Sequence, residues 1–357
     1  MSIDDLRKNI DDIDTQIVRL IAERIRIAEK IGEEKRELGK TVVDITREQM
    51  VLRHIRDLAQ EAQLNADDIE RVYHLIMAAT RGSQGIFVSF QGETGAYSEE
   101  AAYQYFGTAI TPVPCNSIED VFITVGKGET QYGIIPVENS LEGSVSQSYD
   151  LLADSDLKVC GETELRVIHC LIASNSATLE TIRKVYSHPQ ALAQCRAFLK
   201  RMKFELIPTY DTAGSVKMIK QMESPEVAAI ASARAADIYG MKIIIRGIED
   251  NPYNFTRFFI LARQDSPATG DDKTSIVFSV THKPGSLSIF LNVLAEKKIN
   301  LTKVESRPTR RKPWEYNFYL DFEGHHTDPV VKEALEMLEE KSIFLKLLGS
   351  YPKYRRR

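Results

Sequence analysis

A threonine hydroxyl and an arginine guanidinium stand next to each other in the run Thr256-Arg257-Phe258, where a strand is predicted to begin. A guanidinium can bind a carboxylate through two parallel hydrogen bonds. A hydroxyl can donate a hydrogen bond to an oxygen atom that leaves its substrate. These residue types therefore suit the binding of an acidic substrate from which an oxygen is lost.

A second polar segment lies upstream, where an apolar strand ends in the turn Glu138-Asn139-Ser140. Two helices further along are predicted to open with polar residues, one after His188 and one near Thr212. Ligands of α/β folds collect beyond the carboxyl ends of strands, so such turns and helix starts are candidate contacts. A lone histidine such as His188 is, however, more often a structural cap or a surface residue than a catalyst.

Two cations interrupt the apolar stripe of the first predicted helix. From Ile3 to about Leu38, apolar residues recur at spacings of three and four, and Arg24 and Lys35 fall on the same face. A buried unpaired charge is very unfavourable, so these cations must meet internal carboxylates or an anionic ligand. The alternative is that both side chains snorkel to solvent at the end of a helical bundle.

This helix would be roughly 50 Å long at 1.5 Å per residue, which is more than a lone small domain can cover. We therefore expect partner helices from a second copy of the chain. Polar residues also mark the next two predicted helices. Asp44, Arg47 and Glu48 share one turn at the start of the second, and Thr80 and Gln84 extend the apolar seam of the third.

An alternation of strands and helices runs from about Gly85 to about Ala262 and includes a strand predicted at residues 167–173. This pattern predicts a mostly parallel sheet with helices on both sides. The glycine-rich turn at residues 92–98 lacks the ending of a P-loop and the Rossmann spacing of glycines, so a nucleotide site is not expected. After a polar linker at residues 265–272, the predicted order is strand, helix, strand, strand, helix, strand, which is ferredoxin-like.

A length of 357 residues predicts two or three domains. A formal net charge of -5 provides no broad basic field, which argues against nucleic acid as the main partner. Cys115, Cys160, Cys170 and Cys195 have no CxxC spacing, so neither a zinc site nor a disulfide framework is predicted. The sequence shows no signal peptide and no membrane-spanning run, and we expect a cytoplasmic protein.

The three N-terminal helices resemble the all-helical class of chorismate mutase. The residues at the family's active-site positions are Arg7, Arg24, Lys35, Asp44, Arg47, Glu48, Thr80 and Gln84, with Thr80 in place of a serine. The resemblance implies an intertwined dimer in which Arg7 of one chain and Arg24 of the other clamp the carboxylates of chorismate. It also implies that Lys35 and Gln84 donate to the ether oxygen and that Glu48 accepts from the substrate hydroxyl. Arg47 and Asp44 would support the site.

The middle of the chain resembles prephenate dehydratase, through the Thr256-Arg257-Phe258 run and the segment that contains Glu138-Asn139-Ser140. The resemblance implies two α/β lobes around a cleft, similar to periplasmic binding proteins. Thr256 would donate a hydrogen bond to the leaving hydroxyl, Arg257 would help to hold a carboxylate, and Phe258 would wall the site. The segments of His188 and Thr212 fit the family pattern too. The turn at residues 92–98 departs from it, with Glu93 for a proline and Ala96 for a hydroxyl residue.

The C-terminal segment resembles an ACT regulatory domain. Its run Glu305-Ser306-Arg307-Pro308 matches the motif that contacts phenylalanine in these dehydratases, and the partner motif reads Gly285-Ser286-Leu287. Pairs of ACT domains usually share their ligands across an interface between chains. Regulation by phenylalanine therefore implies a homo-oligomer, either a dimer or a tetramer.

The resemblance covers nearly the whole chain and implies a multidomain, bifunctional enzyme of phenylalanine biosynthesis. It would rearrange chorismate to prephenate and then decarboxylate and dehydrate prephenate to phenylpyruvate, without a metal or other cofactor. The predicted domains are residues 1–84 for the mutase, 85–265 for the dehydratase and 272–357 for the ACT domain.

Two other interpretations remain open at this point. The run Gly95-Ala96-Tyr97-Ser98 is also similar to arogenate dehydratases, so the substrate of the second step could be arogenate. The chain could also be a non-catalytic sensor, in which a two-lobed binding unit and an ACT domain are joined to a helical dimerisation segment. The cations within the helical seams argue against that interpretation, because a pure dimerisation helix would carry hydrophobic residues there.

Overall fold

The computed structural model describes residues 2–37, 45–83, 85–309 and 315–355. The chain divides into two compact units. The first comprises Met1–Phe87 with Phe106–Thr111, and the second comprises Val88–Tyr105 with Pro112–Arg357.

The first unit is helical. Its helices are α1 (Ile3–Glu37), α2 (Ile45–Glu61) and α3 (Ala66–Ser83). The Asn65 side chain accepts hydrogen bonds from the backbone N–H groups of Asp67 and Asp68, which caps α3. The side chain of Arg56 on α2 forms ion pairs with Asp67 and Glu70 on α3 and thereby joins the two helices.

The apolar stripe of α1 is exposed in the single chain. Ile10 is 57% exposed, Leu20 is 66% exposed and Ile27 is 53% exposed. Burial of an isoleucine or leucine side chain stabilises a protein by about 1.5–3 kcal/mol. An uncovered row of such residues along a long helix is typical of a surface that another helix covers.

The second unit begins with an α/β lobe, referred to below as the first lobe. Its elements are β1 (Ile86–Gln91), α4 (Tyr97–Phe106), β2 (Ile110–Cys115), α5 (Ile118–Lys127), β3 (Tyr132–Asn139), β4 (Gly143–Ser144), α6 (Ser146–Asp154) and β5 (Lys158–Arg166). The chain then forms the second lobe, from β6 (Cys170–Ala173), β7 (Lys184–Ser187), α7 (Pro189–Gln194), α8 (Arg196–Met202), β8 (Glu205–Pro208), α9 (Thr212–Met222), β9 (Val227–Ala231), α10 (Ala233–Tyr239) and β10 (Lys242–Arg246). Strand β11 (Phe255–Ala262) returns to the first lobe.

Each lobe is built on its own sheet, with strand order β2-β1-β3-β11-β5 in the first and β10-β6-β9-β7-β8 in the second. The predicted two-lobed α/β fold is confirmed. The expectation of a mostly parallel sheet is wrong, because β11 runs antiparallel to both β3 and β5, and β6 runs antiparallel to both β9 and β10. The strand predicted at residues 167–173 is also shorter, because residues 167–169 connect the sheets of the two lobes.

The C-terminal part consists of β12 (Asp272–Ser279), α11 (Ser286–Glu296), β13 (Leu301–Pro308), β14 (Tyr316–Glu323), α12 (Pro329–Lys341) and β15 (Phe344–Pro352). The strands form an antiparallel sheet in the order β13-β14-β12-β15. This arrangement confirms the predicted ferredoxin-like βαββαβ fold.

The C-terminal sheet is packed on both of its faces. Side chains alternate between the faces of a strand. On β12, Ile276 and Phe278 join the core under α11 and α12, whereas Val277 joins a core that includes Val137 and Phe259 of the first lobe. The first lobe and the C-terminal sheet therefore share one continuous core.

No helix within the described ranges is long and apolar enough to cross a membrane. The described histidine, cysteine, aspartate and glutamate side chains form no group of three or more that could hold a metal ion. All four cysteines are free. Burial raises the pKa of the Cys160 thiol to about 12, so this thiol stays protonated and unreactive near neutral pH.

Candidate active sites

A cavity of about 570 Å³ lies between the two lobes of the second unit. Five residues that the sequence predicts as site residues line it. Asn139, Thr256 and Phe258 come from the first lobe, and His188 and Thr212 come from the second. The structure thus brings together side chains that lie more than a hundred positions apart in the sequence.

The Thr256 hydroxyl is held by the side-chain amide of Asn139. Asn139 Nδ2 donates to Thr256 Oγ1 at 3.0 Å. The amide cannot turn around, because its oxygen accepts the backbone N–H groups of Leu141 and Glu142 at 3.0 and 3.2 Å. Since the threonine oxygen accepts this hydrogen bond, its own hydrogen is available to a ligand in the cavity.

A β-bulge in the pairing of β11 with β3 orients side chains of β3 towards the cavity. Thr256 lies opposite Asn139 in the ladder, but Phe258 lies opposite Pro136, so the register shifts by one residue. Such bulges re-aim side chains next to active sites. As a result, both Asn139 and Pro136 line the cavity, although they are three positions apart and regular alternation would place them on opposite faces.

The lining of the cavity contains no lysine or arginine among its described residues. Instead, three helices begin there, α4 at Tyr97, α5 at Ile118 and α9 at Thr212. The first turn of a helix carries backbone N–H groups and a partial positive charge, which suit a carboxylate. Side chains already accept some of these N–H groups, because Ser117 accepts that of Asp120 in α5 and Asp211 accepts that of Gly214 in α9. Asp211 opposes this effect, and burial raises the pKa of its carboxyl group. The arrangement can hold a small anion through N–H groups and hydroxyls.

The turn at residues 92–98 closes one side of the cavity. Glu93, which stands where the dehydratase pattern has proline, accepts a hydrogen bond from Tyr210 at 3.0 Å and pairs with Lys217 at 2.9 Å, both in the second lobe. Gly95 has a φ of +95°, and a Cβ there would lie 2.9 Å from the Cα of Ala235. Only glycine fits this approach of the two lobes.

His188 caps a helix and lies at the cavity. Its Nδ1 accepts the backbone N–H of Gln190 at 3.3 Å, so the residue caps α7. The same side chain lines the cavity. The capping interpretation is confirmed, and a role in substrate binding stays a prediction.

The structure contradicts the expected role of Arg257, whose side chain is 11% exposed and lies outside the cavity. Its guanidinium donates to Glu162 at 2.8 Å and to Asp321 at 2.7 Å. The reason is the alternation of side chains along β11, which turns Thr256 and Phe258 towards the cavity and Arg257 towards the C-terminal sheet. Arg257 is therefore not placed to hold a substrate carboxylate.

Glu138 and Ser140 also lie outside the cavity, which corrects the expectation that the whole turn contacts the substrate. The Glu138 carboxylate pairs with Lys303 of β13 at 2.8 Å. The Ser140 hydroxyl donates to the Tyr253 carbonyl at 2.7 Å and accepts from the Phe255 N–H at 2.9 Å. These two side chains fix the position of the turn, and Asn139 alone reaches the cavity.

The predicted mutase residues lie in the first unit. Arg7 is exposed and pairs with Asp4 at 3.5 Å, Arg24 is half-buried, and Arg47 is exposed. Lys35, Glu48 and Thr80 lie on α1, α2 and α3, but their side chains fall outside the described part of the chain. Asp44 and Gln84 lie outside the described residues altogether. The roles of all eight residues stay predictions.

Comparisons with known proteins assign the three parts of the chain. Sequence models of three families match, described as Chorismate mutase type II at residues 6–85, Prephenate dehydratase at residues 88–266 and ACT domain at residues 274–340. The bifunctional chorismate mutase/prephenate dehydratase of Aquifex aeolicus is 39% identical over 98% of this chain and 97% of its own length. The chain belongs to this bifunctional family. It therefore carries a chorismate mutase domain, a prephenate dehydratase domain and a regulatory ACT domain.

Other similar proteins cover the dehydratase and ACT parts. Arogenate dehydratase/prephenate dehydratase 2 of Arabidopsis thaliana is 42% identical over 78% of this chain and 75% of its own length. The structure of the Arthrobacter aurescens prephenate dehydratase in complex with L-Phe has a TM-score of 0.69 at 32% identity, and covers 75% of this chain and 90% of its own. A protein described as a quorum quenching acylase, GqqA, has a TM-score of 0.70 at 34% identity, over 75% of this chain and 98% of its own.

The motif that matches the phenylalanine contacts of the family lies on β13, at the edge of the ACT sheet. Two of its side chains point to the dehydratase domain. Glu305 accepts a hydrogen bond from Ser144 at 2.9 Å, and Arg307 pairs with Asp150 at 3.1 Å. Ser306 and Pro308 are exposed.

The partner motif begins α11. Gly285 caps this helix with a φ of +84°, and Ser286 and Leu287 form its first turn. The Ser286 hydroxyl lies 3.0 Å from that of Thr281. Effector binding by these three residues and by the motif on β13 stays a prediction.

Sequence reasoning missed several polar residues at the dehydratase cavity. Tyr97, His169 and Gln194 line it, and Asn254 lies directly behind its wall. Gln194 belongs to the helix that begins after His188, and Asn254 lies two residues before Thr256, so their proximity to predicted site residues could have identified both. Nothing in the sequence near His169 indicates a site, because it is a single histidine between two strands.

Proposed function

We propose that this chain catalyses two consecutive steps, the rearrangement of chorismate to prephenate in its helical domain and the conversion of prephenate to phenylpyruvate in the cavity between the two lobes. The observation that carries the second step is the Thr256 hydroxyl, which faces the cavity with its oxygen engaged by Asn139. Prephenate is a dianion with a ring hydroxyl. The cavity offers hydroxyl groups and helix starts that suit such a molecule.

In the dehydratase step, the bond between the ring and its carboxylate breaks, and the electron pair enters the ring as the opposite C–O bond breaks. Carbon dioxide and hydroxide leave, and the hydroxide takes up a proton to become water. Thr256 donates a hydrogen bond to the leaving oxygen and stabilises the charge that develops there. A threonine hydroxyl is a weak acid, so aromatisation of the ring supplies most of the driving force.

The carboxylates of prephenate need a binding partner other than Arg257, which the sequence had suggested for this role. In this proposal, the N-terminal turns of α4, α5 and α9 bind them. Phe258 forms an apolar wall beside the ring, and it is 1% exposed in the cavity wall. Among the described residues that line the cavity, no lysine or arginine then lies next to the bond that releases carbon dioxide.

For the mutase step, no proton has to move, so catalysis consists of holding the compact conformer of chorismate and stabilising charge on the ether oxygen. Arg24, half-buried on α1, is the described residue that supports this role best. The exposed apolar stripe of α1 supports a homodimer in which a second copy covers it. Light scattering of the purified protein tests this assembly, and a monomer at micromolar concentration would contradict it.

The decisive assay incubates the purified chain with chorismate alone. We expect phenylpyruvate to form without an added metal or cofactor. Accumulation of prephenate would contradict the second activity, and persistence of chorismate would contradict the first. Arg24→Ala in the full chain should abolish the consumption of chorismate and leave the turnover of added prephenate intact.

The second substrate could also be arogenate, and one observation favours including it. Ala96 and Tyr97, from the run that is similar to arogenate dehydratases, line the cavity, and the Arabidopsis relative carries both substrate names. We propose prephenate as the preferred substrate, because the relatives that match along the whole chain are bifunctional chorismate mutase/prephenate dehydratases. The ratio of kcat/KM for the two substrates on one preparation decides between them.

We further propose that phenylalanine inhibits the dehydratase through the ACT domain. The ties between β13 and the dehydratase domain, at Ser144 and Asp150, support a route from the effector motif to the site. Activity that is indifferent to millimolar phenylalanine would contradict this regulation.

A further inference from the structure

A continuous series of hydrogen bonds leads from a buried histidine to the Thr256 hydroxyl. His169 Nε2 lies 2.9 Å from Gln194 Oε1, and Asn254 Nδ2 donates to the same oxygen at 2.8 Å. Asn254 Oδ1 in turn accepts from Asn139 Nδ2 at 2.8 Å, and Asn139 Nδ2 lies 3.0 Å from Thr256 Oγ1. These five side chains are referred to below as the His169 chain.

The surroundings decide how the amide groups in this chain are oriented. The Asn139 oxygen is engaged by two backbone N–H groups, so its nitrogen must face Asn254 and Thr256. Gln194 Nε2 donates to Glu142 at 3.1 Å, so the Gln194 oxygen must face His169. An oxygen can only accept, and His169 Nε2 therefore carries a proton and donates it.

The other side of the imidazole is also held. His169 Nδ1 lies 2.9 Å from the Tyr97 hydroxyl, and the two rings meet edge to face with centroids 5.6 Å apart. Burial lowers the pKa of His169, which favours a neutral imidazole with its single proton on Nε2. The Tyr97 hydroxyl donates to the Ile168 carbonyl at 2.9 Å and also lies within hydrogen-bond distance of the unprotonated Nδ1. Because the ring is neutral and its tautomer is fixed, His169 is the donor and Gln194 the acceptor in the first hydrogen bond of the His169 chain.

We propose that His169 is a positioning residue of the dehydratase reaction, because it holds Gln194 and, through Asn254, the Asn139 amide that orients the Thr256 hydroxyl. This inference rests on the proposed dehydratase function. His169 is 2% exposed and connects the two lobes, since Tyr97 belongs to the first and Gln194 to the second. Without the Nε2–H of His169, the Gln194 amide keeps only its hydrogen bonds with Glu142 and Asn254, so Asn254 and the Asn139 amide beyond it are held less firmly.

The expected consequence is a loss in kcat rather than in substrate affinity. The direction of the Thr256 hydrogen matters when the C–O bond breaks, whereas the helix starts and Phe258 bind the ground state. Misplacement of a catalytic group by about 1 Å can reduce the rate by about a hundredfold. We expect a smaller effect here, of about tenfold to thirtyfold, because Asn139 keeps its contacts with Leu141 and Glu142.

Three substitutions in the full-length chain test the proposal with prephenate as substrate. His169→Phe removes both ring nitrogens, His169→Asn keeps a polar group at the position of Nδ1, and His169→Gln keeps an amide N–H at the position of Nε2. We expect kcat to fall about tenfold or more for the Phe and Asn variants, with KM within about twofold. His169→Gln should retain kcat within about threefold, because it alone reaches Gln194.

His325 provides a matched control. It is also 2% exposed and makes two hydrogen bonds through its ring, to Thr327 at 2.8 Å and to the Ser266 carbonyl at 3.0 Å, but it lies in the ACT domain. His325→Phe should lower the melting temperature as His169→Phe does, and it should leave kcat within about twofold. Circular dichroism and the urea unfolding transition of each preparation report the amount of folded protein.

A double-mutant cycle tests whether His169 acts on Thr256 through the other side chains of the His169 chain. Asn254→Leu should reduce kcat by itself, and its combination with His169→Asn should be little worse than either change alone, because both interrupt the same path. Effects on kcat that multiply would overturn the proposal. So would a His169→Asn enzyme with unchanged kcat, or a His169→Gln enzyme as impaired as His169→Asn.

If His169→Phe does not fold, the contrast between the Asn and Gln variants still decides. If the proposed dehydratase function is wrong, the wild-type chain will leave prephenate unconsumed. If the wild type is active and the His169 variants keep its kcat, only the positioning role of His169 is contradicted.

Discussion

The two faces of strand β11 show how neighbours in sequence come to serve different parts of a molecule. Thr256 faces a cavity and makes its hydrogen bond with one neutral amide. Arg257, the next residue, is enclosed by Glu162, Asp321 and the Tyr351 hydroxyl, with its guanidinium over the ring of Phe259. One face is left open for chemistry, and the other joins the dehydratase lobe to the ACT sheet.

The residues of a short motif need not act as one unit. A guanidinium that is saturated by two protein carboxylates has no free edge for a substrate. Lys273 adds to this cluster by pairing with Glu162 at 3.0 Å. We therefore expect changes at Thr256 to affect turnover and changes at Arg257 to affect stability.

The largest expected effect is on turnover at Thr256. Thr256→Ala should lower the kcat for prephenate by about a thousandfold, since it removes the hydrogen bond to the leaving oxygen, while mutase activity stays intact. Thr256→Ser keeps the hydroxyl and should retain most of the activity. Steady-state kinetics with prephenate and with chorismate measure both. An Ala variant within about tenfold of the wild type would contradict the assigned role.

At Arg257 the expected effect is on folding. Arg257→Met leaves Asp321 and Glu162 buried without this cation, and should reduce the free energy of unfolding by about 3 kcal/mol. The kcat of the folded fraction should change by less than about threefold. Urea titration and kinetics on the same preparation test this. Arg355→Met is the control, because Arg355 forms an exposed pair with Asp271 and should be nearly neutral. A large increase in KM without a loss of stability would restore the substrate role of Arg257.

The destabilisation caused by Arg257→Met should depend on pH. Burial disfavours the Asp321 carboxylate, but Arg257, Lys273 and the Ser275 hydroxyl outweigh it and hold the pKa of Asp321 below its usual value. In the wild type, the ionised Asp321 carboxylate therefore contributes its full share of the free energy of unfolding above about pH 4. This contribution is lost as the pH falls through the lowered pKa of Asp321. In Arg257→Met, burial dominates and favours the protonated acid. The difference in the free energy of unfolding between the wild type and Arg257→Met should therefore decrease by up to about 1.4 kcal/mol per pH unit as the pH falls in the acid range. Urea titrations at successive pH values would show a constant gap if Asp321 is not involved.

A smaller effect is expected where the ACT domain touches the substrate turn. Lys303→Met removes the ion pair with Glu138, which lies next to Asn139. We expect kcat without phenylalanine to stay within about threefold and the inhibition constant for phenylalanine to rise about fivefold, because a tie between the two domains is lost. Lys341→Met, on the exposed end of α12, is the control. Equal inhibition in all three proteins would show that this contact does not carry the signal.

Much of the fold could be predicted because it depends on local patterns. The period of hydrophobic residues predicted α1, the apolar seam predicted α3, and the order of elements after residue 272 predicted the ferredoxin-like sheet. The mixed strand directions in the two lobes could not be predicted in this way. Strand direction depends on where β11 re-enters the first sheet, which no local pattern encodes.

The candidate site was predictable only in part. Thr256 and Asn139 were found because each belongs to a recognisable polar run in an apolar context. The alternation along a strand already separates Thr256 from Arg257, but it does not say which face meets a cavity. That depends on Glu162 and Asp321, which lie 95 and 64 residues away in the sequence.

The motifs of the chain were enough to recognise its family by resemblance, and its helices and strands could be predicted because turns and periodicity act over a few residues. Only the tertiary structure decided that Arg257 is part of the scaffold and that His169 leads to Thr256. The links of that path join residues 25, 60, 115 and 117 positions apart. Contacts over such distances exist only once the lobes have closed around their shared cavity.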